Sequence, residues 1–226
     1  MKTGTLYLVG TPMGNLGDMT FRAVEVLKQV SRIAAEDTRR TGVLLKHYGI
    51  QKPLVSLHEH NERNRTPEIL ERLRSGESIA LVTDAGMPVV SDPGAFLVQE
   101  AAAAGVPVTV VPGPSAMTSA LALSGFWGER FRFEGFPPRK PKALEEWLRR
   151  MGAEPMPVIC YESPYRLAKT VQAIQRILGE IPVVAARELT KLHEEVTRGS
   201  TSQVLARYTD RLPKGECTLL FWPKNK

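Results

Sequence analysis

The stretch that most clearly indicates the fold is Leu81-Val82-Thr83-Asp84-Ala85-Gly86-Met87-Pro88-Val89-Val90-Ser91-Asp92-Pro93-Gly94. The apolar run Ile79–Val82 is typical of a buried strand, and the Asp, Gly and Pro residues that follow end it. Asp92 and Pro93 have the residue types of a helix N-cap and a first helical position, so we expect the next helix to begin there. The loop between strand and helix is roughly eight residues long, more than the usual 2–6. Such loops at the carboxyl ends of strands bind ligands in open α/β sheets, although an idle surface loop has the same sequence pattern.

The same succession of apolar strand, turn and helix repeats through the first half of the chain. We predict its other strands at Thr5–Val9, Arg32–Ala35, Leu54–Leu57 and Val108–Val111. Helices are predicted at Thr20–Val30, at Thr41–Tyr48, from a Thr66-Pro67 cap to Arg74, from Asp92 to the alanines at 101–104, and from a Ser115 cap to Leu123. Because short apolar strands alternate with helices, we expect a mostly parallel five-stranded sheet with helices on both faces.

The second half has a different pattern and follows a Gly-containing boundary, Ser124–Gly128. Phe131–Phe136 alternates between apolar and other residues, which is typical of a strand, and a basic, Pro-rich loop, Pro137–Lys142, comes next. Further strands are predicted at Val158–Tyr161, Pro182–Arg187 and Cys217–Trp222, and helices at Leu144–Met151, from a Ser163-Pro164 cap to Gly179, and at Thr201–Tyr208. We therefore expect two α/β domains, 1–123 with the parallel sheet and 124–226 of α+β type with a mixed sheet.

The charge of the chain is unevenly distributed. The net charge is +6, yet residues 1–113 contain 12 Lys/Arg and 12 Asp/Glu, so all of the excess lies in the second half. One basic domain beside a neutral one favours a polyanionic partner, although a solvated basic surface would also explain it.

No apolar run is long enough for a membrane span, and no signal peptide begins the chain. Cys160 and Cys217 lie in apolar runs without metal spacing, so we expect reduced thiols and a cytoplasmic protein.

The common catalytic and phosphate-binding motifs are absent. The loop Gly10–Gly14 matches neither the dinucleotide fingerprint nor the phosphate loop. His58 and His60 lack further ligands at zinc spacing, so we expect no metal, and no G-x-S-x-G elbow occurs. Carboxylates, imidazoles, an amide and arginines are nevertheless concentrated in the loops that follow the predicted strands, at Gly10–Gly14, Glu36–Arg40, His58–Asn64, Asp84–Ser91 and Pro112–Ser115.

Seven motifs carry a resemblance to a known family. They are Leu8-Val9-Gly10-Thr11-Pro12-Met13-Gly14-Asn15-Leu16, Ala35-Glu36-Asp37-Thr38-Arg39, His58-Glu59-His60-Asn61-Glu62, Val82-Thr83-Asp84-Ala85-Gly86-Met87-Pro88, Ser91-Asp92-Pro93-Gly94, Val111-Pro112-Gly113-Pro114-Ser115-Ala116 and Tyr161-Glu162-Ser163-Pro164-Tyr165-Arg166. In this order they resemble the ribosomal RNA small subunit methyltransferase I family of the tetrapyrrole methylase superfamily. The resemblance implies S-adenosylmethionine as methyl donor, 2′-O-methylation of a cytidine in the decoding region of 16S rRNA, and a homodimer.

The resemblance also implies a cofactor site formed by loops in a cleft between the two domains. The expected cofactor residues are Pro12, Met13, Asp84, Ala85, Gly86, Met87, Ser115, Ala116, Tyr161, Glu162, Ser163 and Ala186. Asp84 could accept hydrogen bonds from the donor, or it could simply cap its own loop. Ser115 and Ala116 open a helix whose N–H groups could hold a carboxylate.

The acceptor side should be polar and basic. Our candidates for catalytic residues are Glu36, Asp37, Arg39, His58, His60 and Asn61, with Glu62 beside them. Arg39 is suited to a phosphate contact, because its guanidinium is a planar fork of donors. Histidine is the commonest general base in enzymes, whereas a carboxylate base would need a raised pKa, and the sequence does not choose between them. Arg139, Lys140 and Lys142 are expected to steer the RNA, although a solvated basic loop has the same sequence. The expected partner is 16S rRNA or the small ribosomal subunit. Lys191 and His193 could face the cleft from the second domain.

Two other functions remain open at this stage. One is methyl transfer to a tetrapyrrole or another small molecule, which the basic second half disfavours. The other is a non-catalytic RNA-binding module, which does not explain the polar loops at the strand ends.

Overall fold

The computed structural model describes residues 3–126, 129–209 and 214–223. The chain divides into two compact units, the first ending at Ser115 and the second beginning at Ala116. The division precedes the helix Ala116–Ser124, whereas the sequence predicts the boundary after residue 123. Trp127 and Gly128 of the expected boundary lie outside the described residues. In the described ranges, no helix is long and apolar enough to cross a membrane.

The first unit contains a five-stranded, fully parallel sheet. Its strands are β1 Leu6–Val9, β2 Arg32–Ala35, β3 Leu54–Ser56, β4 Ile79–Val82 and β5 Val108–Val111. They lie in the order β3-β2-β4-β1-β5, and every residue of the central strand β4 is buried. The predicted parallel α/β architecture is confirmed. Because all strands run in one direction, their carboxyl ends, and the polar loops that follow them, meet at one edge.

Four helices cover the two faces of this sheet, namely α1 Phe21–Gln29, α2 Thr38–His47, α3 Glu62–Arg74 and α4 Ala95–Ala103. Leu27 and Leu45 of α1 and α2 pack with Val82 on one face. Ile69 and Leu97 of α3 and α4 pack with Leu81 on the other. Successive residues of β4 thus serve opposite cores, as the two-residue period of a strand requires.

Three of these helices begin elsewhere than predicted. Helix α2 begins at Thr38, because the Asp37 carboxylate accepts a hydrogen bond from the Arg39 N–H and caps the first turn. Helix α3 begins at Glu62 rather than at the Thr66-Pro67 pair. Thr66 lies inside this helix, and its hydroxyl donates to the carbonyl of Glu62, four residues earlier, at 2.8 Å. Its pairing with Pro67, a common helix-starting signal, therefore misled the prediction.

The prediction that Asp92 and Pro93 begin α4 is wrong. The N-cap is Gly94, whose φ of 120° only glycine adopts readily, and the helix starts at Ala95. The capping acceptor comes from another helix, because the Glu62 Oε1 atom accepts the Leu97 N–H at 3.0 Å. Glu62, an expected acceptor-side residue, thus has a structural role at the start of α4.

The second unit contains a mixed five-stranded sheet, as predicted. Its strands are β6 Arg132–Phe133, β7 Val158–Glu162, β8 Pro182–Arg187, β9 Glu195–Ser200 and β10 Cys217–Phe221, in the order β6-β7-β10-β8-β9. Of the strand pairs described in this second sheet, β6–β7 is parallel and the others are antiparallel. The sequence did not predict β9, which is a polar, half-buried edge strand, and β6 is shorter than its alternating pattern predicted.

Helices α5 Ala116–Ser124, α6 Pro141–Gly152, α7 Pro164–Leu178 and α8 Thr201–Thr209 complete the second unit. Ala120 of α5 packs with Ile159 and Val184 on one face of the sheet. The larger core on the other face receives α6, α7 and α8. Cys160 and Cys217 are free and buried in that core, and burial raises the pKa of the Cys217 thiol to about 12, so both are inert apolar residues as predicted.

A close approach of two glycines joins the loops that follow β1 and β5. A Cβ atom on Gly10 would lie 2.7 Å from the Gly113 Cα atom and 2.8 Å from the Met87 sulfur. A Cβ on Gly113 would lie 2.9 Å from the Gly10 Cα atom. Two of these contacts are with backbone, which cannot move aside as a flexible side chain can. The carboxyl edge of the sheet therefore requires glycine at both positions.

We predict that Gly10→Ala lowers the free energy of unfolding by about 1–3 kcal/mol, because the methyl group would overlap with this backbone. The measurement is urea denaturation of the whole chain. Gly42→Ala is the matched control, since it lies inside α2 and the added Cβ would meet no atom within 4 Å beyond the backbone of its own helix. There alanine should be neutral or raise stability by up to about 1 kcal/mol. Equal stabilities of Gly10→Ala and the parent would contradict the close approach.

Candidate functional site

The sheet order places the polar loops of the first unit in a row along its carboxyl edge. The Asp84 loop after β4 lies in the centre, between the Glu36-Asp37 turn after β2 and the Thr11 loop after β1. His58 follows β3 at one end of the row, and Gly113 follows β5 at the other. This arrangement is the general location of ligand sites in open α/β sheets.

Thr11 and Gly86 connect the β1 and β4 loops by backbone hydrogen bonds. The Thr11 N–H donates to the Gly86 carbonyl at 2.9 Å, and the Gly86 N–H donates to the Thr11 carbonyl at 3.0 Å. The buried Thr11 hydroxyl donates to the Thr83 carbonyl at 3.0 Å. The next residues, Pro12 and Met13, are buried beside this bridge. The backbone here is therefore a fixed framework in which a ligand could contact main-chain groups.

Carboxylates connect the β2 and β4 loops. The Glu36 Oε2 atom accepts the Thr83 hydroxyl at 2.7 Å and the Asp84 N–H at 3.3 Å. In return, Asp84 Oδ1 accepts the Asp37 N–H at 3.2 Å, and Asp84 Oδ2 pairs with the Arg40 guanidinium at 3.1 Å. Glu36, an expected catalytic residue, thus supports the loop that carries Asp84.

The Asp84 carboxyl lies in an environment that disfavours its charge. Partial burial raises its pKa, the nearby Glu36 carboxylate raises it further, and the Arg40 guanidinium opposes both effects. A carboxylate of this kind is stabilised by a ligand that brings hydrogen-bond donors or positive charge. Ala85 and Met87 are half-buried and Gly86 is buried. In this part of the loop, a ligand would therefore meet the Asp84 carboxylate and the main-chain groups around it.

The same loop has an unusual backbone. Gly86 has a φ of 85°, but Val89 and Ser91 also lie at positive φ, with 76° and 63°. For a β-branched residue such as valine this conformation is rare and costs about 1–3 kcal/mol. The fold maintains strain next to Asp84, which is a property of many ligand-binding loops.

Asp37 and Arg39 form a two-pronged ion pair at the start of α2. The Arg39 Nε and Nη2 atoms donate to the two Asp37 carboxylate oxygens at 3.0 and 2.7 Å. This pair holds the pKa of Asp37 well below its usual range. A general base would need the opposite shift, so the expectation that Asp37 could be the base does not fit this site. The Arg39 side chain is 89% exposed and is available to a ligand from solvent.

His58, His60 and Asn61 form a compact turn after β3. The Asn61 side chain accepts the His58 N–H at 2.8 Å and donates to the Ser56 carbonyl at 3.3 Å, so it shapes the turn. The two imidazole rings are 6.0 Å apart, and the buried His58 Nδ1 atom has no hydrogen-bond partner among the described residues. Within the described parts of the chain, no three His, Cys, Asp or Glu residues are grouped as metal ligands would be.

The expected cofactor residues of the second unit have different environments. Glu162 is only 2% exposed, and its carboxylate accepts the Ser163 N–H at 2.7 Å and the Thr170 hydroxyl at 2.6 Å. Ala186 is buried in the core beneath α5. These two side chains are therefore engaged inside the unit, whereas Tyr161 and Ser163 are half-buried. Ser115 and Ala116, both half-buried, lie at the start of α5 as predicted.

The basic residues lie at the start of α6. Arg139, Lys140 and Lys142 are all exposed, with Lys140 at the N-cap, and Lys142 is helical rather than part of the predicted loop. Cations at a helix N-terminus oppose the helix dipole, so their position is not explained by stability. Lys191 instead pairs with Glu188 and Glu216, both at 2.9 Å.

Sequence reasoning missed the residues that hold the site together. Arg40, Thr11 and Thr83 act through contacts with residues far away in the chain, which no local pattern reveals. Arg40 lies in the first turn of α2, whose start the sequence predicted at Thr41, so its role had no local signal either.

The chain is similar to known proteins over most of its length. The family model described as tetrapyrrole (corrin/porphyrin) methylases matches residues 5–205. A Thermotoga maritima protein named ribosomal RNA small subunit methyltransferase I is 49% identical over 217 residues, which cover 96% of this chain and 97% of the relative. Proteins with that name from Synechocystis sp. and Escherichia coli O157:H7 are 48% and 46% identical over 96% of this chain, and over 78% and 77% of their own lengths.

The similarity extends over both units, since the matched residues begin just before β1 and end within α8. The resemblance drawn from the seven motifs is thereby confirmed. The chain belongs to the tetrapyrrole methylase family and, within it, to the ribosomal RNA small subunit methyltransferase I family.

Proposed function

We propose that this protein methylates the ribose 2′-oxygen of a cytidine in the decoding region of 16S rRNA, with S-adenosylmethionine as the methyl donor. The observation that carries the proposal is the near-50% identity to ribosomal RNA small subunit methyltransferases I along almost the whole chain. The proposal includes a homodimer in the cytoplasm, acting on RNA of the small ribosomal subunit.

The carboxyl edge of the first sheet suits a methyl donor. S-adenosylmethionine supplies a methyl group already activated on a sulfonium, so the protein has mainly to hold and align the two reactants. Asp84 fits a donor that carries positive charge and hydroxyl groups, because its pKa is raised in the absence of such a partner. The backbone around Gly86 and Thr11 is fixed by reciprocal hydrogen bonds and would need little rearrangement on binding.

The acceptor side is assigned to the neighbouring loops. Arg39 is exposed and presents a planar donor fork to solvent, which suits an RNA phosphate that would take over the role of Asp37. For the proton of the 2′-hydroxyl, His58 and His60 remain as base candidates. Glu36 supports the β4 loop, and Asp37 has a lowered pKa.

The description of the matching family model favours one second candidate, methylation of a tetrapyrrole or a related small molecule. The deciding experiment offers radiolabelled S-adenosylmethionine with either small ribosomal subunits that lack the mark or tetrapyrrole substrates. Label in the RNA alone supports the proposal, and label in the tetrapyrrole alone contradicts it. Calorimetric titration with S-adenosylmethionine tests the third function, because a non-catalytic RNA-binding module would give no binding heat.

We predict that Asp84→Asn weakens donor binding by about ten-fold or more, since a hydrogen bond to a charged group contributes about 1.5–3 kcal/mol. The melting temperature of the Asp84→Asn variant at neutral pH should not be lower than that of the parent. The folded-state pKa of Asp84 is raised, so its stabilising contribution is present at low pH and is lost as pH rises through that pKa. Calorimetry and thermal melting measure the two quantities, and an unchanged donor affinity would remove Asp84 from the site.

Asp37→Asn serves as the control for the sign of this effect. The pKa of Asp37 is lowered, so its contribution to stability is present above the unfolded-state pKa, near 4, and is lost as pH falls below it. Asp37→Asn should therefore melt slightly below the parent at neutral pH, and the difference should shrink in acid.

We predict that Arg39→Ala lowers the methylation rate on ribosomal subunits at least ten-fold while donor affinity stays within about two-fold, because the variant has no guanidinium to bind a phosphate in bidentate fashion. Stability should hardly change, since exposed ion pairs contribute about 0–1 kcal/mol. Arg74→Ala is the matched control, an exposed arginine at the end of α3 that leads to the amino edge of the sheet. Equal activities of the two variants would remove Arg39 from the acceptor side.

We predict that replacing Arg139, Lys140 and Lys142 together by Gln makes RNA binding less dependent on salt. The slope of log K against log salt should fall by about 0.7 for each RNA phosphate that the protein no longer neutralises, or roughly 2 in all. Thermal stability should not fall, because cations are removed from the start of a helix. Arg149 and Arg150, in the last turn of α6, form the control pair, and replacing them should leave the slope as it was. An unchanged slope in the triple variant would show a merely solvated patch.

A further inference from the structure

An exposed aromatic side chain lies just before the basic residues of the second unit. Phe136 is 63% exposed, an unusual state for phenylalanine, and its ring centroid is 5.6 Å from that of Tyr161. The Tyr161 ring in turn lies 5.0 Å from the Phe133 ring. The Tyr161 N–H donates to the Gly135 carbonyl at 2.7 Å, so the backbone before Phe136 is attached to β7. The Phe136 ring is thus packed against Tyr161, and much of its surface faces solvent.

The chain after Phe136 is held as firmly. Arg166 Nη2 donates to the Pro138 carbonyl at 2.8 Å, and Nη1 contacts the Pro137 carbonyl at 3.4 Å. Arg166 lies 3.6 Å from the buried Glu162 carboxylate, which is itself held by Thr170. Two consecutive prolines further restrict the backbone. Phe136 is therefore a pre-positioned ring, and little conformational entropy remains to be lost when a partner covers it.

The residues around Phe136 indicate the chemical class of its partner. Arg139 and Lys140 follow within the same segment, are exposed, and make no ion pair among the described residues. Tyr165, next to Arg166 in the chain, is a second exposed ring at 69%. Aromatic rings interleaved with cations are the pattern of single-stranded nucleic-acid sites, where bases stack on rings and phosphates meet the cations. A second copy of this chain that docked through this same surface would place its own Arg139 and Lys140 opposite these cations, which is unfavourable.

We propose that Phe136 is a stacking surface for an unpaired base of the RNA substrate, held in place by Tyr161 and by the Arg166 contacts to Pro137 and Pro138. The inference rests on the proposed function and adds to it a preference for single-stranded RNA in this unit. Glu162 and Arg166 are positioning residues in this account, and they act through the 136–140 segment.

The test compares Phe136→Leu, Phe136→Tyr and Phe21→Leu in binding to a fluorescent single-stranded ribo-oligonucleotide of the 16S decoding-region sequence and to a fully paired RNA duplex. Phe21 is the matched control, a 91% exposed phenylalanine at the start of α1 in the first unit. Phe136→Leu should bind the single strand roughly five- to ten-fold more weakly, which corresponds to the lower end of a base–aromatic stack. Phe136→Tyr and Phe21→Leu should stay within about two-fold, and duplex affinity should not change.

Several outcomes would overturn the stacking role of Phe136. Single-strand affinity of Phe136→Leu equal to that of the parent overturns the stacking role, as does an equal loss on the duplex. Conversion of a dimer to a monomer by Phe136→Leu, measured by light scattering, also overturns it, because the ring would then belong to a subunit interface. Arg166→Lys should lower single-strand affinity while thermal melting and donor affinity hold. If the parent protein does not methylate ribosomal subunits, the proposed function itself is contradicted. If the parent methylates them and Phe136→Leu binds the single strand as well as the parent does, only the stacking role is contradicted.

Discussion

The Glu36 carboxylate makes the contacts on which the proposed site depends. It accepts hydrogen bonds from the Thr83 hydroxyl and the Asp84 N–H, so it joins the ends of two neighbouring parallel strands. Asp84 completes the link by accepting the Asp37 N–H. The parallel sheet brings these loops to one edge, and this small network determines where the Asp84 carboxylate lies. The position of the Asp84 carboxylate, to which we assign donor binding, is thus set by contacts between loops rather than by either loop alone.

Several local features of the protein oppose stability, and they are concentrated where function is proposed. Asp84 lies beside another carboxylate, Val89 has a left-handed backbone conformation, and lysines occupy the start of α6. Phe136 adds an exposed apolar ring. Departures from locally favourable chemistry of this kind are expected at functional sites, where the rest of the fold supplies the compensating stability. Here the compensation comes from the buried strands and from the cores on both faces of each sheet.

The sequence predicted what depends on hydrophobic pattern and little of what depends on distant contacts. Strands β2, β4, β5 and β8 have the predicted bounds, because buried apolar runs between turn residues are unambiguous. The start of α4 was wrong because its capping acceptor comes from Glu62, which no local rule could supply. The edge strand β9 was missed because its residues are polar. In the site, the row of loops was predictable from the fold, whereas the structural roles of Glu36 and Glu162 depend on side-chain contacts that no sequence pattern reveals.

The measurement that tests the central claim most directly is the identity of the methylated nucleoside. Small ribosomal subunits that lack the mark would be incubated with the protein and isotopically labelled S-adenosylmethionine, and the RNA would be digested and analysed by mass spectrometry. The account predicts one labelled species, 2′-O-methylcytidine, from the decoding region. Label on a base, label at many positions, or no label in RNA despite donor binding would contradict it.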